Sequence, residues 1–296
     1  MHEVLPDSLS FLLRATHVVL VRIEAAKTGD WAPGAAGVTR VVAVEAKLEA
    51  LFKGKLSEPA GSVVRVALTQ FGTGTSRVAG VPGAWSHQRV EPGARFVVLS
   101  VTSSESAPEI LRDPAALLVL PADEALTDVE LAATAESRSL DVGATVALAT
   151  PAAPRLGALF AEYLWARFGA AALAEEKKLE PIAALLEQPA LGRGARVTLV
   201  STLVSAITSP EPPPPRQSAR LAVALFRLLG MPEAAPLHDN LVGTYLPTLL
   251  DLAEPHARRA ADVFHDHPGE LARARAAAHA YKGSEPAAPL IGWLDR

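Results

Sequence analysis

Near residue 120 the chain changes texture, and that change restricts the fold more than any other feature. Before it, short valine-rich runs alternate from side to side, as in His17-Val18-Val19-Leu20-Val21-Arg22-Ile23. After about residue 125, alanine and leucine recur at helical spacing. Leu156, Leu159, Phe160, Tyr163 and Leu164 fall at i, i+3, i+4, i+7 and i+8 and make one apolar stripe. Strands first and helices afterwards specify a segregated α+β chain, because a parallel α/β sheet needs a helix after each strand.

Strands are expected at about 17–25, 38–45, 62–69, 95–101 and 116–120. Val19, Val21 and Ile23 share one face of the first, and Val64, Val66 and Leu68 one face of the third. Gly/Pro-rich 29–37 and Glu91-Pro92-Gly93 read as turns, and Leu48–Gly54 reads as a short bridge. A capped helix is expected over 7–15, with Asp7 or Ser8 as its cap. The segment 70–94 is long for a structureless connection, a length that marks functional loops. These elements predict an antiparallel barrel or sandwich, taken as a β-barrel over 1–120, and a connecting helix and linker over 121–154. Within that connector 127–138 is helical, and 139–154 is the linker.

The helical part, 155–296, reads as 155–168, 176–187, 195–208, 217–229, 237–252, 256–266 and 269–281, separated by glycine and proline. Pro247 should kink or divide the fifth of these. Starts recur about every 20 residues, so a hairpin unit is roughly 40 residues, which resembles HEAT or armadillo-type repeats. A plain helical bundle gives similar spacing.

The barrel also carries a resemblance. A short helix enters a Val-Val-Leu-Val strand, a second valine-rich strand ends in Leu51-Phe52-Lys53-Gly54, and a Pro-Gly turn precedes Arg95-Phe96-Val97-Val98-Leu99. This order is similar to bacterial OB-fold domains related to the tissue-inhibitor-of-metalloproteinase and netrin modules, over about residues 8–120. The resemblance implies an OB-like barrel. It does not carry protease inhibition, since that family's inhibitory N-terminal cysteine has no counterpart in a chain without cysteine.

The absence of cysteine excludes disulfides, thiolate metal sites and a cysteine nucleophile. Residues 1–120 carry a net charge of +1 and residues 121–296 a net charge of −5. Neither half has the basic excess that favours nucleic acid. No run of apolar residues is long enough to span a membrane, and no signal-peptide pattern opens the chain. A soluble protein is expected, cytoplasmic in preference to exported after removal of a signal peptide.

Three places hold candidate functional residues. The first is loop 70–94, with Arg77, Trp85 and Arg89. Tryptophan and arginine are frequent binding anchors, so these three are the expected partner-binding residues. A tryptophan there can equally fold back and plug the barrel. The second is Asp262, His265, Asp266 and His267, with Glu254, His256 and His238-Asp239 upstream. Asp262 and His265 share a helix face, as a metal-dependent hydrolase would need. His265 and His267 point apart, which favours a solvated helix end with no metal. The third is Ser209-Pro210-Glu211-Pro212-Pro213-Pro214-Pro215, a stiff spacer or PxxP ligand. As a spacer it should tolerate shortening with little effect on thermal melting.

No Gly-x-Ser-x-Gly or His-Glu-x-x-His motif is present, and Gly72 and Gly74 do not complete a phosphate-binding loop. Strand aromatics are scarce, and Glu45 and Glu49 interrupt the basic patch Lys47, Lys53 and Lys55, which argues against single-stranded nucleic-acid binding by the barrel. The expectation is a non-enzymatic interaction or adaptor protein, without cofactor or bound metal, that engages a protein partner. A metal-dependent hydrolase built on 262–267 is the alternative from another class.

Overall fold

A computed structural model describes residues 8–34, 37–71, 85, 88–112, 116–207, 215–253, 259–267 and 269–296. The chain forms two compact units, Met1–Ser139 and Leu140–Arg296. The first is a sheet with helices and the second is helical, so the segregated α+β class is as expected.

The first unit contains α1 (Ser8–Arg14), β1 (His17–Thr28), β2 (Ala32–Gly34), β3 (Gly37–Lys53), β4 (Val63–Phe71), β5 (Arg95–Ser100), α2 (Ala107–Arg112), β6 (Leu117–Pro121) and α3 (Ala122–Ser137). All strand pairs are antiparallel. The path runs β2-β3-β1-β5-β6, and β4 also pairs with β3. The sheet is therefore open among the described residues: its outer strands β4 and β6 do not pair, and the closed barrel expected over 1–120 is absent.

Leu48–Lys53, read as a bridge, continues β3 instead. The 17-residue strand pairs with β4 through its first part and with β1 along most of its length. Register shifts at three points along β1 bend it, as bulges do.

One face of the sheet encloses a core of Val19, Val21, Ile23, Val44, Leu68, Phe96 and Val119. The other faces of β1, β5 and β6 are buried too, through Val18, Leu20, Val97, Leu99, Leu118 and Leu120. Helices α1 and α3 pack there, with Leu12, Ala125, Val129 and Ala132 buried. Burial on both faces explains why these strands are continuously apolar.

The second unit begins where a linker was expected. Residues 142–149 form α4 (Val142–Ala149), capped by Asp141, whose Oδ1 accepts from the Ala144 N–H at 2.8 Å. A 3-10 turn follows at Thr150–Arg155. Then come α5 (Ala158–Ala174), α6 (Glu176–Leu186), α7 (Arg193–Ile207), α8 (Pro215–Leu229), α9 (His238–Asn240), α10 (Leu246–Ala253), α11 (Ala260–Val263), α12 (Glu270–Ala280) and α13 (Ala288–Leu294). Pro247 does not divide its helix, which runs without a break from His238 to Ala253; a π-helical turn, Leu241–Tyr245, joins α9 to α10 just before it. Proline lacks the N–H that the regular ladder needs, and a π turn is one way to re-register that ladder.

Helix α8 is central. It packs on α6, α10, α11 and α12, and Leu221 through Phe226 are buried without interruption.

Candidate functional site

Across α6, α8 and α12 runs a ladder of alternating charges. Arg220 grips Glu180 with two bonds, Nε to Oε2 at 2.6 Å and Nη2 to Oε1 at 2.9 Å. Its Nη1 reaches Glu187 at 2.6 Å. The other oxygen of Glu187 accepts from Arg227 at 2.5 Å, and Arg227 holds Glu270 at 3.1 and 3.2 Å. Arg273 closes on Glu270 at 2.9 Å. The geometry follows from spacing. Glu180 and Glu187 are seven apart, as are Arg220 and Arg227, so two turns of α6 and its end face two turns of α8.

Arg220 is only 2 % exposed. Burial works to lower its pKa, but the hydrogen bonds it donates to Glu180 and Glu187 outweigh it and raise the value. The Arg220 hydrogen bonds hold Glu180 below the usual carboxylate range against its partial burial. Arg227 does the same for Glu270. Both carboxylates have lower pKa values folded than unfolded, so their stabilisation is complete above about pH 4.3, the ordinary glutamate value. It is lost as pH falls through the folded values. The melting temperature of the helical unit should therefore begin to fall below about pH 4, and one that stays flat to about pH 3 would contradict this reading.

The ladder ends at a groove of about 740 Å³. One wall is the end of α8, with Phe226, Arg227 and Leu229; another is Ala235, His238 and Asp239. The third is α12 and the residues after it, with Glu270, Arg273, Ala277, Ala280, Tyr281 and Lys282. Gly230 ends α8 where the chain turns; a Cβ there would sit 3.7 Å from that of Ala277, so the two elements approach closely.

His238 Nε2 lies 3.1 Å from the carbonyl oxygens of both Leu228 and Met231. Carbonyls only accept, so Nε2 carries a proton and the ring caps the end of α8.

Beside the groove, Asp239 is held by three donors. They are the Tyr281 hydroxyl, the Ser284 hydroxyl at 2.7 Å and the Ser284 N–H at 3.3 Å. The Tyr281 and then the Ser284 hydroxyl hold the Asp239 carboxyl below its usual range. Burial and the Asp239 hydrogen bond push Tyr281 up. The clasp requires Gly283, because a Cβ there would collide with both Asp239 Oδ1 and the Tyr281 hydroxyl. Gly283 is exposed, so Gly283→Ala is expected to open the clasp at a cost to the helical unit of about 1 kcal/mol. Urea denaturation checks this, and a variant within about 0.5 kcal/mol of wild type would show that the clasp yields freely.

The residues expected to matter from sequence fall elsewhere. Trp85 is 2 % exposed in the core of the first unit, where it meets Phe96 edge-on at 5.2 Å. Its side chain is enclosed there. Arg89 is exposed and pairs with Glu91 at 2.7 Å, a surface bridge of little energetic weight. Arg77 lies outside the described residues, as does the run 209–215 except for Pro215, which opens α8.

Among the described residues the metal-ligand set does not converge. Asp262 pairs with Arg259 at 3.3 Å, and His265 and Asp266 are exposed. Among the described residues no three His, Cys, Asp or Glu side chains could hold a metal ion. Glu254 and His256 lie outside them. Of that set only His238 and Asp239 line the groove, and both are engaged there. The sequence reading missed the ladder, although the paired seven-residue spacings were visible in it.

The chain matches no protein-family model, no curated protein and no solved structure. Among the described residues no helix is long and apolar enough to cross a membrane.

Proposed function

We propose that the protein is a non-enzymatic interaction protein that engages a protein partner through its helical unit. The observation that carries this reading is how the titratable groups of the groove are used. Glu270 is taken by two arginines, Asp239 by Tyr281 and Ser284, and the protonated nitrogen of His238 by two backbone carbonyls. Catalysis by these groups would need a nucleophile beside a base or an acid poised over open space. Here they hold one another rigid, which suits recognition.

Two finer readings of architecture belong to the same proposal. The first unit is an OB-like barrel with one seam unlaced. Pairing β4 with β6 would close the strand order, and side chains span that seam. Gln70 on β4 donates to the carbonyls of Trp85 and Gln88 at 3.2 and 2.9 Å, and Gln88 donates to the Val119 carbonyl on β6 at 3.0 Å.

The second unit is a stack of helical hairpins of HEAT type. In support, α5, α7 and α10 contact one another in succession, and so do α6, α8 and α12. Two such series are what stacked hairpins produce, and stacked hairpins expose extended binding surfaces.

The test is affinity capture from cells that express the gene natively, followed by reconstitution from purified components. The expected result is one protein recovered in stoichiometric amount that rebinds when pure. Failure of every captured protein to rebind would sink the proposal.

A further inference from the structure

We propose that the groove at the end of the charge ladder is the docking site for an acidic amphipathic helix of a partner protein. This rests on the interaction reading above and names the partner's chemistry. The ladder alternates in sign from Glu180 to Arg273. Inside it, each arginine has two carboxylates: Arg220 holds Glu180 and Glu187, and Arg227 holds Glu187 and Glu270. Arg273 has one, Glu270, and its side chain is 78 % exposed at the groove. A further anion on Arg273, supplied from outside, would continue the series.

Lys282 supplies a second cation beyond the far end of α12. It is exposed at the groove and has no ion pair among the described residues. Asp239 lines the same lip and keeps its negative charge, since Tyr281 and Ser284 are neutral donors, so the two cations leave the lip with a net positive charge that an acidic partner complements.

Between the two cations the lining is apolar and shallow. Ala277 and Ala280 lie on α12, and Ala235 faces them. The seven steps from Arg273 to Ala280 span about 10 Å of helix, and Lys282 follows two residues past its end. That matches two acidic residues two turns apart on a docked helix, with apolar residues between them meeting the alanines. This is helix-in-groove recognition with charged ends that set the register.

The test uses the full chain and a labelled amphipathic peptide of about 16 residues, four turns or more. It carries two glutamates seven positions apart with leucines between. Its counterparts carry glutamine or lysine at the same two positions. Fluorescence anisotropy should show the glutamate peptide binding at least about tenfold tighter than the glutamine peptide. Lys282→Glu, which lies outside the ladder and leaves folding intact by circular dichroism, should erase that preference and favour the lysine peptide.

Equal binding of the three peptides, no binding by any of them, or an unchanged preference in Lys282→Glu would overturn the docking site. A partner reconstituted with wild type and lost with Lys282→Glu supports it. A partner that binds Lys282→Glu as well as wild type overturns the groove and leaves the interaction reading standing. If no protein rebinds wild type, the interaction reading itself fails.

Discussion

Arg220→Ala is expected to destabilise the helical unit by about 3–5 kcal/mol, the cost of breaking a buried ion pair. The side chain is enclosed, and both its partners lie on α6 or just past its end. Removing it leaves Glu187 with Arg227 alone, in a site 16 % exposed. It also empties the volume of a long side chain beside the central helix. Each kcal/mol corresponds to about 2–4 °C for a unit of this size, so the melting temperature should fall by roughly 6–20 °C.

Glu180→Gln provides the contrast. Glu180 meets the same guanidinium, but its side chain is 56 % exposed. Water can replace what is lost, and the cost should stay under about 1 kcal/mol. The two variants share one ion pair and differ in burial. Urea denaturation followed by helical ellipticity compares them directly. Equal losses would mean that pairing, and not burial, sets the energy of the ladder.

The ladder also shows where sequence reading stops. Glu180 with Glu187 and Arg220 with Arg227 are visible as matched spacings. Matched spacing on two helices becomes a bond only if the helices are neighbours with those faces together. Local periodicity says that α6 and α8 each have a buried side, not that the sides meet. The clasp around Asp239 has the same character, since Tyr281 and Ser284 are more than forty residues away.

The β-region was more legible, because alternation within a strand is a local property. Val64, Val66 and Leu68 do point to the core together, as do Val19, Val21 and Ile23. The change of texture at residue 120 is real, yet the first compact unit runs to Ser139. Helix α3 has helical texture and belongs with the sheet, because Ala125, Val129 and Ala132 cover the second face of β1, β5 and β6. Composition reports the kind of element and is silent on its neighbour. Only packing assigns α3 to the first unit.

Trp85→Ala should cost the first unit about 3–5 kcal/mol, as for a large aromatic removed from a core. Three interactions go with the ring: the edge-on contact with Phe96, the burial itself, and the indole N–H bond to the Leu111 carbonyl at 2.9 Å. The bond to Leu111 reaches α2, which packs on β4, so the indole ties the seam region to a covering helix.

Trp85→Phe separates these contributions. It keeps a ring for Phe96 but leaves the Leu111 carbonyl without its donor, so about 1–3 kcal/mol of the loss should remain. The backbone of residue 85 accepts from Gln70, so both variants should also loosen the seam. Amide hydrogen exchange in β4 and β6 should accelerate more than in β1 and β3, which are laced on both sides. If Trp85→Ala instead unfolds within about 1 kcal/mol of wild type, the ring does not hold this core together. Its remaining role would then be the partner anchor that a tryptophan in a long loop suggests.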